Sequence, residues 1–521
     1  MKRVHVLLAL VAGLLLIGSG VPAQAQAPSQ DTLVLAAPEP LNNDPHIAQG
    51  ASSVRMYLNL YEGLVRFEYG GLKLEPALAQ RWTISPDGKT YTFTLRPDVK
   101  FHNGSVLTPA DVKYSFERGK AKGQAAASYL EFFKEARVVD DHTIQIELTK
   151  PTAPFLMMLP RMFIIGQSCL AGKDSGGDMG TAYLQQNSCG TGPYKIESWE
   201  RGRQIVLMRF NDYWRGWSGR HVNRVVIRTV PELATARLLL ERGDIDVQHY
   251  VSLDDIPIVS RNPQIRIEDH EGIPATSIRF VTQKGATQNP KVREALTYSV
   301  PYDQFIENVM KGRATRLQGP IARGIACHDD TLPVYKQDLN RAKQLFAEAG
   351  YPNGLKLRMD NFNMYPERRQ LALMWQADLK KIGVELEYKE HDMGTTYALL
   401  RDREKGPDTY MMGDYVTYPD PDAYMWRSYH SSQTGEGGLN YGFYNNQEFD
   451  RLIEEGRTTL DEAKRCDHYR RAQRNLVNNF VGAWLMQQHT TIFMRSRVKN
   501  YKPLPSAFEA YSFYEMYKEE R

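Results

Sequence analysis

Residues Leu78 to Lys120 read LAQRWTISPDGKTYTFTLRPDVKFHNGSVLTPADVKYSFERGK. Tyr91, Phe93 and Leu95 alternate with Thr92, Thr94 and Arg96, the period of a strand with one face buried. Pro86-Asp87-Gly88 ahead of that strand and Pro97-Asp98 behind it are turn chemistry, so a preceding strand folds back on it as a hairpin. A helix follows. Thr108 is placed to cap it, Pro109 takes the first helical position, and Asp111 supplies an acidic N3 residue. Val112 and Phe116, four apart, give that helix an apolar face.

Four more segments carry the same kind of local wording. They are Gly190-Thr191-Gly192-Pro193-Tyr194 with Asn211-Asp212-Tyr213-Trp214; Asn289 to Leu296, NPKVREAL; Asn340 to Gly354, NRAKQLFAEAGYPNG; and Asp414 with Pro419-Asp420-Pro421-Asp422. In this order, and together with the opening stretch, they resemble the signature blocks of the peptide- and nickel-binding family of bacterial ABC-importer receptors, solute-binding protein family 5. The resemblance runs through nearly the whole chain after its first residues.

Composition bounds the alternatives. The chain has 521 residues, 42% hydrophobic and 24% charged, an ordinary globular balance too long for one core; length alone suggests roughly three domains. Net charge is only +4, with no run of basic residues of the kind nucleic-acid binding requires. Lys2 and Arg3 precede an apolar run from Val4 to Ile17, and Val21 to Ala27 offers A-x-A cleavage sites. This is the pattern of a secretory signal peptide over residues 1–27, too short to be a membrane anchor. No cysteine precedes Cys169, so no lipid attachment is expected, and the reading is a soluble periplasmic protein. Cys169, Cys189, Cys327 and Cys466 allow three disulfide pairings in an oxidising compartment. Cys169 and Cys189 flank a glycine-rich loop that their pairing would close, which makes them the favoured candidates.

Strand-like segments at Thr32–Ala36, Tyr91–Leu95, Thr143–Leu148 and Ile205–Phe210 interleave with helical ones at Asn289–Val309, Asp338–Ala349 and Glu367–Ile382. This mixture predicts an α/β fold. The family resemblance implies more: a class II-like two-lobed periplasmic binding protein with the ligand cleft between the lobes. On that reading the first lobe is 28–62, 190–277 and 490–521, a small inserted domain is 63–189, and the second lobe is 278–489.

The resemblance also places the functional residues. Asp414 matches the aspartate that faces a peptide's α-ammonium group, a fixed carboxylate offsetting the cost of burying that charge. Arg368 and Arg369 sit at the helix start where peptide-binding members place an arginine for the ligand carboxylate, and the guanidinium fork suits that partner. Tyr415 and Tyr418 are taken as pocket aromatics from a tyrosine-dense stretch, and Asn42 as a residue of the loop at the cleft mouth. His430 lies where nickel-binding relatives use a histidine, but a lone histidine predicts no metal site. No catalytic or cofactor motif is present: neither H-E-x-x-H, G-x-S-x-G nor a Walker loop.

The function implied is a monomeric receptor that captures di- and oligopeptides without a cofactor and hands them to an inner-membrane ABC permease and its ATPases. It would neither bind nucleic acid nor insert into a membrane. An oligosaccharide-, opine- or nickel-chelate-binding receptor is the alternative within the family, and a periplasmic peptide hydrolase or chaperone the alternative outside it. Met411 stands where members commonly carry a tryptophan, which leaves the ligand class open.

Overall fold

The computed structural model describes residues 31–519 apart from 49, 436 and 505–509, so the leader read from the sequence lies outside the described residues. Its backbone is one large mixed sheet, flanked by helices, a separate four-stranded antiparallel sheet and two two-stranded ladders. No helix among the described residues is long and apolar enough to cross a membrane.

The small sheet grows from the opening stretch of the sequence. Thr90–Leu95 pairs with Ala79–Ile84 on one side and with Thr143–Leu148 on the other, and Phe133–Asp140 closes the far edge. Tyr91, Phe93 and Leu95 are buried as their alternation requires. Helix Pro109–Lys122 covers that face with Val112 and Phe116; the Thr108 N–H donates to Asp111 Oδ2 at 2.9 Å, and Gly123 ends the helix in the left-handed conformation.

The large sheet is held by two long antiparallel strands, Ile265–Phe280 and Gly482–Arg495. Toward one end Gly482–Arg495 pairs with Val247–Gln248, beyond which lie Thr32–Ala36, Arg224–Arg228, Gln204–Arg209 and Tyr194–Glu200. Toward the other, Ile265–Phe280 pairs with Thr409–Asp414, followed by Lys356–Phe362 and Glu385–His391. The two crossing strands therefore carry the sheet from one half of the molecule to the other. Their register shifts twice in the middle: Glu271 opposes His489 but Ala275 opposes Gln487, and just beyond, Thr276 opposes Met486 but Ser277 opposes Trp484. The bulge holds Gly272, Ile273 and Pro274. A Cβ on Gly272 would come within 2.9 Å of the Gln488 carbonyl oxygen, so only glycine fits. The carbonyls it frees are satisfied: Gln487 Nε2 donates to Gly272 O at 2.7 Å and the Tyr424 hydroxyl to Ile273 O at 2.5 Å.

One expected element is corrected. The sequence predicts a single helix over Asn289–Val309, but the helix Pro290–Ser299 stops there and Tyr302–Gln304 begins a separate turn. Pro301 lacks the N–H a continuing helix needs and holds Val300 in extended backbone (φ −73°, ψ 131°). Two disulfides, Cys169–Cys189 and Cys327–Cys466, close loops of 20 and 139 residues.

A buried ion pair ties the small-sheet body to the large sheet. Arg118, on helix Pro109–Lys122, donates through Nη1 to Asp44 Oδ1 at 2.9 Å, and the Thr181 hydroxyl donates to Asp44 Oδ2 at 2.8 Å. His46 completes the joint. Its Nδ1 lies 3.1 Å from Arg118 Nη1, which has only protons to offer, and its Nε2 lies 2.9 Å from the Phe163 carbonyl. Those partners require the neutral ring with its proton on Nε2. Burial, reinforced by the Arg118 charge, pushes His46 down to about 4, and burial does the same to His102. In the unfolded chain both titrate near the ordinary histidine value of about 6.5. Their stabilising contribution is thus complete above that pH, and it is lost as pH falls toward the folded values, because the unfolded state takes up protons first. Urea unfolding should show a midpoint clearly lower at pH 5 than at pH 7, with a flatter decline in His46→Gln/His102→Gln; equal slopes in the two proteins would refute this assignment.

Candidate functional site at the bulge

Strand Thr409–Asp414 runs antiparallel to the first crossing strand, and its last residue stands opposite Ala275, where the bulge ends. Asp414 is therefore delivered to the junction of the two halves. It is 8% exposed and already partnered. Arg279 Nη2 donates to its Oδ2, and the Ser428 hydroxyl donates to Oδ1 at 2.8 Å. Arg279 is buried and lies over the Tyr429 ring at 4.7 Å. Burial alone would lower the arginine's pKa, but attraction to Asp414 outweighs it and the pKa is raised. The carboxylate expected to stand open for a ligand ammonium thus has its charge matched from within.

Arg368 presents the opposite case. Helix Pro366–Lys381 starts beside the same strand end, with Pro366 at its first position, and Arg368 turns inward to 2% exposure. Its guanidinium lies 3.8 Å from the Tyr365 ring centroid, and Nη2 donates to the Tyr415 hydroxyl at 3.3 Å. Nε makes no hydrogen bond among the described residues. The nearest carboxylate oxygen, Glu367 Oε1, is 4.0 Å away, and burial raises the pKa of that acid. Gly413 makes the approach possible: a Cβ there would meet Arg368 Nη2 at 2.9 Å and the Tyr415 ring at 2.7 Å. Tyr415 is 37% exposed, with its hydroxyl 3.5 Å from Gln488 Oε1 on the second crossing strand. Arg368, Tyr415 and Gln488 thus line the junction.

Other expected site residues are placed elsewhere. Arg369 is one helical step round, on the outer face, where Nε donates to both Glu390 oxygens at 2.9 and 2.8 Å. The Arg369 side chain is half exposed. Asn42 shapes its own loop: Oδ1 accepts from the Asp44 N–H at 2.7 Å and from Gln185 Nε2 at 2.9 Å. Tyr418 is buried against Tyr129 of the small-sheet body, its hydroxyl donating to Asp422 Oδ2 at 2.7 Å.

The acidic loop is likewise internally engaged. Arg465 grips Asp420 with both terminal nitrogens, at 3.0 and 2.7 Å, and Arg457 Nε lies 3.0 Å from Asp422. Burial still outweighs that arginine and leaves the Asp422 carboxyl above its ordinary range. Arg457 also donates to Glu131 at 2.7 Å, so it joins the loop to the small-sheet body. His430 stacks on Trp426 at 4.0 Å and hydrogen-bonds Ser432 at 2.8 Å. No group of three or more His, Cys, Asp or Glu among the described residues is arranged to hold a metal ion.

Arg279, Ser428, Arg457 and Arg465 are the functional partners that sequence reading missed. Arg279 alone left a trace, a charged residue between Ile278 and Phe280 in an otherwise buried strand.

Two sheet halves joined by crossing strands, with a buried guanidinium at their junction, are the frame on which the likeness to known proteins rests. The family described as bacterial extracellular solute-binding proteins, family 5, matches residues 73–436, and the chain belongs to it. It is 31% identical to the heme-binding protein A of Haemophilus influenzae, over 95% of this chain and 94% of that one. It is 29% identical to the dipeptide-binding protein of Escherichia coli, over 94% and 95% respectively. The solved ABC transporter-associated periplasmic binding protein DppA of Helicobacter pylori, in complex with the peptide STSA, superposes with a TM-score of 0.80 at 27% identity, over 94% of this chain and 98% of that one. The protein is a solute-binding transport receptor, not an enzyme.

The Arg279–Asp414 pair yields a stability prediction. Asp414→Ala should cost about 3–5 kcal/mol by stranding a buried guanidinium. The double variant Arg279→Met/Asp414→Leu, which removes both charges, should lose much less, as read by urea unfolding. Losses that simply add would mean the two charges are not coupled.

Proposed function

We propose that the protein captures short peptides in the periplasm and delivers them to an inner-membrane ABC permease. The observation that carries this reading is Arg368: a buried guanidinium whose Nε makes no hydrogen bond among the described residues, beside a half-exposed tyrosine, at the junction of the two sheet halves. Holding such a charge away from water is costly unless a partner arrives, and a ligand carboxylate fits its fork. The dipeptide-binding relative and the peptide-bound neighbour support the same chemistry.

The lobes on this reading are 28–62 with 190–277 and 490–521, and 278–489, with 63–189 inserted. Their boundaries at 277/278 and 489/490 fall beside the Gly272–Pro274 bulge, where the crossing strands' ladder is interrupted over several residues. Closure there buries the ligand by hinge motion. Exported by its leader, the protein works as a monomer. Micromolar affinity, about −8 kcal/mol, lets it both capture and unload.

Calorimetric titration with peptides identified by native mass spectrometry of the purified protein tests the assignment. Arg368→Gln should lose about 2–5 kcal/mol of binding, at least about 30-fold in Kd. Arg369→Gln should stay within about 0.5 kcal/mol, because its pair with Glu390 is exposed. Equal affinity for wild type and Arg368→Gln would remove the carboxylate assignment.

A further inference from the structure

The buried carboxylates of the strand end and the loop that follows it all have arginine partners: Asp414 has Arg279, Asp420 has Arg465 and Asp422 has Arg457. Among the described residues Arg368 has no comparably close counterion, Glu367 Oε1 standing 4.0 Å from its Nε. At the end of strand Thr409–Asp414, Arg368 is thus the buried charge without a close ion pair among the described residues. An ammonium group brought to Asp414 would meet a carboxylate whose two oxygens already accept from Arg279 and Ser428. It would also come close to two guanidinium groups, since Arg279 bonds Asp414 directly and Arg368 packs on the preceding residue, Gly413. Like charges at that range are a repulsive element against cationic ligand ends, and specificity is set as much by such repulsion as by attraction.

Resting on the peptide-receptor reading, we propose that the ligand class is peptide-like carboxylates without a required free amino group, so that amino-blocked and net-anionic peptides bind as well as zwitterionic ones. Asp414 then acts as the internal counterion of Arg279 and reads no ligand terminus.

Wild-type protein titrated with dialanine, N-acetyl-dialanine, dialanine amide and glutarate decides the matter. The expected result is that the acetylated dipeptide binds within tenfold of the free one, while the amide is weaker by at least tenfold. Acetylation that costs more than tenfold overturns the proposal and leaves the peptide-receptor reading standing. Glutarate binding without either dipeptide has the reverse meaning: the peptide reading fails while the anion preference holds. No binding by any of the four overturns both. In Arg279→Gln, which frees Asp414, discrimination should move at least tenfold toward the free amine; should that variant not fold, the wild-type comparison stands alone.

Discussion

Arg279 rises from the first crossing strand into a region closed to water, and a guanidinium there is tolerable only with a carboxylate against it. Asp414 supplies it from the neighbouring strand. That single pair fixes several things together. It locks the end of strand Thr409–Asp414 onto the first crossing strand, and through Ser428 it draws in helix Pro421–Tyr429, whose Tyr429 ring covers the arginine. It also engages both Asp414 oxygens, so that on the proposed reading Arg368 is the charge a ligand meets.

Similar buried pairs hold the rest of the frame. Asp44 with Arg118 fastens the small-sheet body to the large sheet, and Arg457 reaches from Asp422 to Glu131 on the other side. These contacts lie on either side of a sheet whose two halves share only the crossing strands. On the proposed reading, rigid attachment at the edges and a broken ladder at the centre make the Gly272–Pro274 bulge the place for the halves to move. Satisfied carbonyls at Gly272 and Ile273 let the bulge persist without exposing unpaired backbone.

Much of the architecture was legible in the sequence because it is local. Strand alternation at Tyr91–Leu95, the Thr108-Pro109 helix start and the apolar face of Val112 and Phe116 follow from period and capping. The break at Pro301 was missed because the apolar spacing carries on past it. The site was legible only in part. Arg368 and Arg369 share one sequence context, and one helical step separates a buried cation from a solvated one. Asp414 could be found by resemblance, but its partner Arg279 stands 135 residues earlier, and pairing at that separation leaves no local pattern. The arginines matching Asp420 and Asp422 were hidden for the same reason.

The central claim is that a ligand carboxylate held by Arg368 brings the two halves together about the bulge. Small-angle X-ray scattering of the protein with and without a saturating peptide ligand measures this directly. The account predicts a smaller radius of gyration on ligand addition to wild type and no change in Arg368→Gln at the same ligand concentration. A radius of gyration that stays constant in wild type under saturation would contradict it.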